Sequence, residues 1–464
     1  MLYPAYPAMS NDTAVLDEVM ETETPPPETS AQAILSGPRE GHNAPLPAWF
    51  RTRQQEAWAR FGSLPMPTRK DQPWRFSNVK ALDLSPFVQN GGPGHQTRYE
   101  ILERSVCLDE VTARLIFADD RLLRRDPLPE KLRQLGVIFQ PLERALIEHE
   151  DLVRQYFMAQ PVELGSAKFA ALHEAMAVSG TFVYVPRGVE VELPIEIFHW
   201  LDGENAAVFP HTLLVADELA KVTVIEHFRS TDPQRRGFSC GVNDLVAARG
   251  AKLTYVCVQD WSENTIAVQV NSTTVARDAS AMSLNVNLGG SYSRFESFSR
   301  LAGEGARSDL LAVCVADGKQ EFDARTLQDH ASPHTTSDLL YKNALADHAR
   351  TTFGGLIRVE PHAHFTDAYQ TVRNLLLTED AEANSMPGLE IMADNVKCSH
   401  GATSGQINED ELFYLLARGI PKSAAQRLLV VGFLDEVVQR LNQPTISAKI
   451  HDMIEEKFAT TRAR

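Results

Sequence analysis

The chain has 464 residues, about three times a ~150-residue domain, so it can bury one elongated core or two to three compact ones without disulfides or a structural metal. Its 45 Lys and Arg are outnumbered by 61 Asp and Glu, a formal charge of −16 with no strongly basic segment, which argues against nucleic acid and anionic membrane as partners. With 43% hydrophobic and 23% charged residues, and no run of about 18 apolar residues, it reads as a soluble globular protein and not a membrane-spanning one.

Residues 1–44 read as a disordered acidic leader. Lys and Arg are absent before Arg39, while Asp12, Asp17, Glu18, Glu21, Glu23 and Glu28 accompany Pro25-Pro26-Pro27. That charge is opposite in sign to a secretory or transit peptide. The five cysteines, Cys107, Cys240, Cys257, Cys314 and Cys398, are scattered and never form a C-x-x-C pair. A disulfide framework and a four-thiolate zinc site are both disfavoured, and a cytoplasmic, reducing compartment is the expectation.

Residues 45–160 predict a small helical domain, with Trp49, Trp58 and Phe61 and then Leu132, Leu135, Leu142, Leu146 and Leu152 at helical spacings around an irregular middle at Pro86 to Gly94. Residues 161–405 are read as the β core, and beyond Gly180 the period changes to two. Phe182, Tyr184, Val189, Val191 and Leu193 alternate with Val183, Arg187, Glu190 and Glu192. Further short strands are expected at 212–215, 222–226, 253–258, 265–270, 282–288, 310–315, 353–359 and 389–392. Alanines at Ala220, Ala251, Ala281, Ala306, Ala349 and Ala363 precede strands with gaps of 31, 30, 25, 43 and 14. An interval near 25 to 31 with one small residue per turn suits a β-solenoid, the alternative being a large β-sandwich.

Residues 406–464 predict three helices. Asn408 caps Glu409, Asp410 and Glu411, Gly419 after Arg418 supplies a stop, and Pro421 starts the next helix. Leu428, Val431, Leu434, Val438 and Leu441 then recur at mostly helical steps, and a last helix from about Thr445 presents Ile446, Ile450, Met453 and Ile454. This tail either caps the solenoid or forms a docking platform.

The usual catalytic signatures are missing. No G-x-x-x-x-G-K-[ST] sequence occurs, so the chain is not expected to bind nucleotide itself, and Gly401-Ala-Thr-Ser404-Gly405 places its serine one position too late for a nucleophile elbow. Histidine offers more. Residues i and i+2 share a strand face, so Cys398 and His400 would project a thiol and an imidazole together, both ligands for iron or zinc. Two ligands are half a site: the pair is either a buried thiol beside an exposed histidine or part of a site that needs more ligands, from this chain or from another subunit. His362 with His364, and His330 with His334, read as hydrogen-bonding residues at solenoid corners, and Glu190 with Glu192 beside Arg187 as a solvated face.

Three stretches carry a resemblance: Gly180-Thr-Phe-Val-Tyr-Val-Pro-Arg-Gly-Val189, Pro333-His334-Thr-Thr-Ser337, and Leu389-Glu-Ile-Met-Ala-Asp-Asn-Val-Lys-Cys-Ser-His-Gly-Ala-Thr403, continued by Phe413-Tyr414-Leu415 and Arg418-Gly419-Ile420. From about residue 45 to 440 the chain resembles the SufB/SufD family of the SUF iron–sulfur cluster assembly system. The Pro73-Trp74-Arg75-Phe76-Ser77-Asn78 opening, the length and the lack of a cysteine-rich segment resemble its SufD branch more than its SufB branch. Met392 and Asn395 stand where the pattern favours an aromatic residue and an acid.

The resemblance implies a right-handed parallel β-helix between helical end domains. It implies a non-catalytic scaffold subunit that pairs with a SufB-like subunit and binds the SufC-like ABC-type ATPase, which accounts for the missing P-loop. It places His400 at the SufB interface, with Cys398 on the same face, holding transient iron or nascent cluster together with SufB. The ATPase contact is expected on the C-terminal helices through Leu428, Val431, Leu434 and Val438. The alternative is a β-solenoid carbohydrate-active enzyme, which would want an acidic groove and usually a secretion signal.

Overall fold

Beyond Gly180 the chain passes back and forth between two sheets, and each strand pairs in parallel with the strand one coil earlier. Lys252 pairs with Ser280, Ser280 with Arg307, Thr336 with Asp367, and Asp367 with Lys397, so one coil takes about 30 residues. The computed structural model describes residues 32–38, 46–89 and 92–461. They form a β-solenoid of about eight turns with helical regions at both ends.

Sheet I has 12 strands among the described residues and sheet II has 10. Sheet I ends on the strand Glu382–Ile391 and sheet II on Lys397–Gln406, so the last coil presents both terminal edges. No helix among the described residues is long and apolar enough to cross a membrane.

The corners explain the alanines and correct their assignment. Ala220, Ala251, Ala279, Ala306, Thr335 and Thr366 each immediately precede a sheet II strand, and all six are buried. The first four donate their backbone N–H to the carbonyl three residues earlier. In the last two it is the side-chain hydroxyl that donates to the carbonyl three residues earlier. Only a small side chain fits where the sheets converge, and threonine qualifies by spending its hydroxyl on the turn. Ala281 is therefore inside a strand, Ala349 sits at the opposite corner, and Ala363 lies within the turn that Thr366 closes.

The N-terminal region is built from α1 (Ala48–Ser63), α2 (His95–Arg104), α3 (Glu130–Gln134), α4 (Leu142–Glu148), α5 (Glu150–Tyr156) and α6 (Ala167–Met176). It also contributes strands that the sequence reading missed: Ala113–Ala118 and Arg121–Arg125 extend sheet II, and Ile138–Pro141 joins sheet I. Apart from Arg114, Ala113–Ala118 is apolar and buried on both faces, which erases the two-residue alternation. The acidic leader lies outside the described residues except at 32–38, where the structure differs from a disordered reading. There Gln32–Ala33 pairs with Val88–Gln89 and Ile34 is buried against Phe61 and Phe87.

Helices pad the outer faces. Residues of α1 and α6 cover sheet I around Phe238 and Ile266, and α4 and α5 cover it around Phe182 and Leu213. The strand Gly180–Val185 is thus buried on both sides, with Val183 and Val185 in the lumen, while Leu193 beyond it is exposed. At the C-terminus, α7 (Glu409–Leu416), α8 (Lys422–Gln439) and α9 (Pro444–Thr461) follow the last strand. Val430, Leu434, Val437, Ile450 and Ile454 pack on Ile225, Val256, Leu284 and Leu340 of sheet II, so the tail lies along the solenoid's flank.

A buried ion network fastens the N-terminal region to sheet I. Arg294 donates to Glu296 and Asp323 at 2.7 Å and to the Leu164 carbonyl at 2.8 Å, beneath the Trp74 ring at 3.7 Å. Arg325 donates to the other Asp323 oxygen at 2.8 Å. Replacing Arg294 with methionine would leave two buried carboxylates short of their cation, so a loss of about 3–5 kcal/mol is expected. The urea midpoint should fall by that equivalent with an unchanged slope, and a loss under about 1 kcal/mol would show that the network adds no stability.

Candidate functional site

The strand Lys397–Gln406 repeats the register of Asp367–Leu376, so facing directions can be read from the coil beneath. Ala368, Gln370, Val372 and Asn374 are buried toward the lumen, and their partners are Cys398, His400, Ala402 and Ser404. Among the described residues no further strand stacks on this last row, so lumen-directed side chains become the exposed end of the solenoid. Opposite them the sheet I edge carries Ser385, Pro387, Leu389 and Ile391. Leu389, Ile391 and the adjoining Met392 are exposed.

Cys398 and His400 therefore share a face, as the i, i+2 spacing predicts, but in different surroundings. Cys398 is half-buried against Ile357, Val359, Ala363 and Ala368. That burial, and the neighbouring Asp367 carboxylate, push its thiol pKa up. His400 is exposed at the rim. The pair offers an imidazole lone pair and a thiol that must lose its proton before it can ligate.

Gln370 is a residue the sequence reading missed. It lies directly beneath His400, is 1% exposed, and neither its amide oxygen nor its amide nitrogen has a hydrogen-bond partner. A Cβ placed on Gly355 would lie 2.1 Å from the Gln370 Nε2, so the amide reaches across the lumen to a glycine that makes room for it. An orphaned buried amide costs about 1–3 kcal/mol, and no periodicity signals it, because only the stacked register shows that Gln370 underlies the histidine.

His330, His334 and His364, from the other two histidine pairs, have structural partners at the corners and in the core. His330 is buried and bonded to the Thr335 and Ser337 hydroxyls at 2.7 and 2.8 Å. His334 stacks on Phe365 with ring centroids 4.8 Å apart, and His364 Nδ1 is 3.1 Å from the Asp394 carbonyl. Glu190 pairs with Lys221 at 2.5 Å on the surface. Among the described residues, none of these pairs, nor Cys398 with His400, gains a third His, Cys, Asp or Glu ligand atom within reach.

The C-terminal residues divide, and this corrects the expected docking row. Leu434 and Val438 are fully buried against sheet II and Val431 is partly buried, so they are internal packing. Leu428 is exposed at 52%. Exposed apolar area lies instead on α7, where Phe413 is 71% and Tyr414 54% exposed. Helix α7 begins two residues after the last strand, with the Asn408 side chain accepting from the Asp410 and Glu411 N–H groups at 2.9 and 3.3 Å. Gly419, at φ +81°, ends it.

A family model described as the SUF system FeS cluster assembly SufBD core domain matches residues 199–433, and one for the SufBD protein N-terminal region matches 43–197. The chain is 31% identical over 446 residues to the iron–sulfur cluster assembly protein SufD of Bacillus subtilis, covering 92% of this chain and 97% of that one. It is 28% identical over 314 residues to the assembly protein SufB of the same organism, covering 68% and 67%. A SufBD family protein of Mycobacterium tuberculosis is 33% identical over 295 residues, covering 61% and 72%.

Proposed function

We propose a scaffold role on the premise that this chain belongs to the SufBD family of iron–sulfur cluster assembly proteins, its likeness running along nearly its full length to a SufD. In this reading the open end of the solenoid docks a SufB-like subunit. Iron or nascent cluster, the cargo, is held between the two chains, with His400 as this chain's ligand and Cys398 beside it. The carrying observation is that the final row, Cys398, His400, Ala402 and Ser404, holds lumen-directed positions on which no further strand stacks among the described residues, rimmed by Leu389, Ile391 and Met392. A second β-helix can continue both sheet edges and bury that rim, which deals with the edge and apolar exposure together.

A site shared between separable chains suits transient cargo, because each contributes too few ligands to retain it alone. The exposed face of α7 and the start of α8 serves as the surface for a SufC-like ATPase. This chain performs no catalysis in the scheme. Its sequence has no G-x-x-x-x-G-K-[ST] loop to cradle phosphates and place Mg²⁺, so ATP turnover belongs to the partner.

Co-expression with a SufB-like and a SufC-like protein, followed by affinity purification of this chain, tests the assembly. A complex of all three is expected, with ATP hydrolysis tracking the ATPase subunit and absent from the isolated chain. Failure to retain either partner, or hydrolysis that depends on a residue of this chain, would refute the reading.

A further inference from the structure

We propose that Cys107, Glu196 and His227 form a binding site for a single borderline divalent transition-metal ion, zinc or ferrous iron, on the flank of sheet II and separate from the open end. The three ligand atoms, one thiol sulfur, one carboxylate oxygen and one imidazole nitrogen, all lie within 4.8 Å of one another. A tetrahedral ion with bonds of about 2.0–2.3 Å holds its ligands about 3.3–3.8 Å apart. The His227 Nε2 to Glu196 Oε1 separation is already 3.6 Å, so closure asks mainly for a small inward movement of Cys107.

The site arises from register. Glu196 and His227 point outward from the neighbouring strands Ile195–Leu201 and Lys221–Ser230, on a diagonal fixed by the pairings Ile225 with Glu196 and His227 with Phe198. Phe198 stacks flat on the His227 ring at 4.4 Å and 12°, which sets the ring's direction. The loop between α2 and Ala113–Ala118 then brings Cys107 over the pair. That loop is clamped: the Leu108 N–H donates to Glu196 Oε1 at 3.0 Å, and Arg114 donates to Glu196 Oε2 at 2.8 Å and to the Leu108 carbonyl at 2.6 Å. One arginine thus orients both the carboxylate and the thiol-bearing segment, the kind of outer support that metal ligands need.

His227 points to a missing ligand most directly. Its side chain is wholly buried, yet neither ring nitrogen has a hydrogen-bond partner. The arrangement is also poor for a bare thiol. Burial first, and the Glu196 carboxylate second, push the Cys107 pKa up to about 11, while Arg229, Lys449 and Arg114 pull the other way without prevailing. A divalent ion between thiol and carboxylate reverses that repulsion and takes up the imidazole, releasing the thiol proton as it binds. The mixed S, N and O donor set matches zinc or ferrous iron better than the all-oxygen preference of calcium or magnesium. Cys107 is only half-buried, which leaves an entry path and room for water as the fourth ligand.

Cobalt(II) is the probe, because a bound thiolate gives it a charge-transfer absorption. The full-length chain carrying Cys398→Ala and His400→Ala, which removes the other candidate site, should bind one equivalent of Co²⁺ with that band, and Zn²⁺ should displace it. Adding Cys107→Ser should abolish the band, weaken binding on the order of tenfold or more, and remove the Zn²⁺-dependent rise in melting temperature while circular dichroism stays unchanged. His227→Gln should weaken binding similarly. If that buried variant does not fold, the Cys107 variant decides. No band in the parent protein, or a band that survives Cys107→Ser, overturns the proposal.

Discussion

Replacing His400 with alanine is expected to leave the three-protein complex intact and to lower its rate of cluster acquisition on the order of tenfold or more, the least a lost metal ligand should cost. The imidazole stands at the exposed rim, so its removal opens no cavity and strands no buried partner in this chain. Folding and the melting temperature should be unchanged. Cys398→Ala should have the smaller effect on assembly, because that thiol packs against Val359 and Ala368 with its pKa raised by burial and by Asp367. Size-exclusion chromatography of the complex and iron–sulfur absorbance after reconstitution read the two quantities separately. If His400→Ala complexes build cluster at the parent rate, the ligand assignment fails. If the variant loses the SufB-like partner, His400 is an interface contact only.

Much of this site was legible before the structure, because a two-residue spacing on a strand fixes a shared face whatever the fold around it. What the spacing withheld was the environment of each residue. That Cys398 is half-buried and His400 exposed follows from Val359 and Ala368 lying below one and Gln370 below the other, a relation between residues about 30 apart in sequence. The strands escaped for a related reason. Glu321–His330 and Asp367–Leu376 are not among the expected strands, and Thr326, Gln328, Gln370 and Asn374 are buried in them. Stacked coils place like residues in register, so Asn343 can donate to Asn374 at 2.7 Å and polar side chains can line the interior without apolar alternation. The C-terminal caps were readable from local rules because Asn408 and Gly419 act within one turn. Whether Leu434 faced solvent or the sheet depended on which side of α8 met Leu340, and that information is not local.

The same distinction fixes how the ATPase surface should be tested. Deleting 408–464 would remove Leu434, Val437, Val438, Ile450 and Ile454 from the outer face of sheet II and expose Ile225, Val256 and Leu284. Loss of binding in that truncation would then report a damaged solenoid as readily as a lost contact. Phe413→Asp and Leu428→Asp are cleaner, since both side chains are exposed and make no part of the buried clusters. Each puts a charge where an apolar anchor would be desolvated, so about 2 kcal/mol or more of binding energy, roughly thirtyfold in Kd, should be lost per substitution. Leu434→Asp should instead lower the melting temperature, because it buries an unpaired carboxylate. Titration of the purified ATPase against each variant separates the outcomes. Undiminished affinity in both Phe413→Asp and Leu428→Asp would place the ATPase elsewhere on this chain, whatever the truncation does.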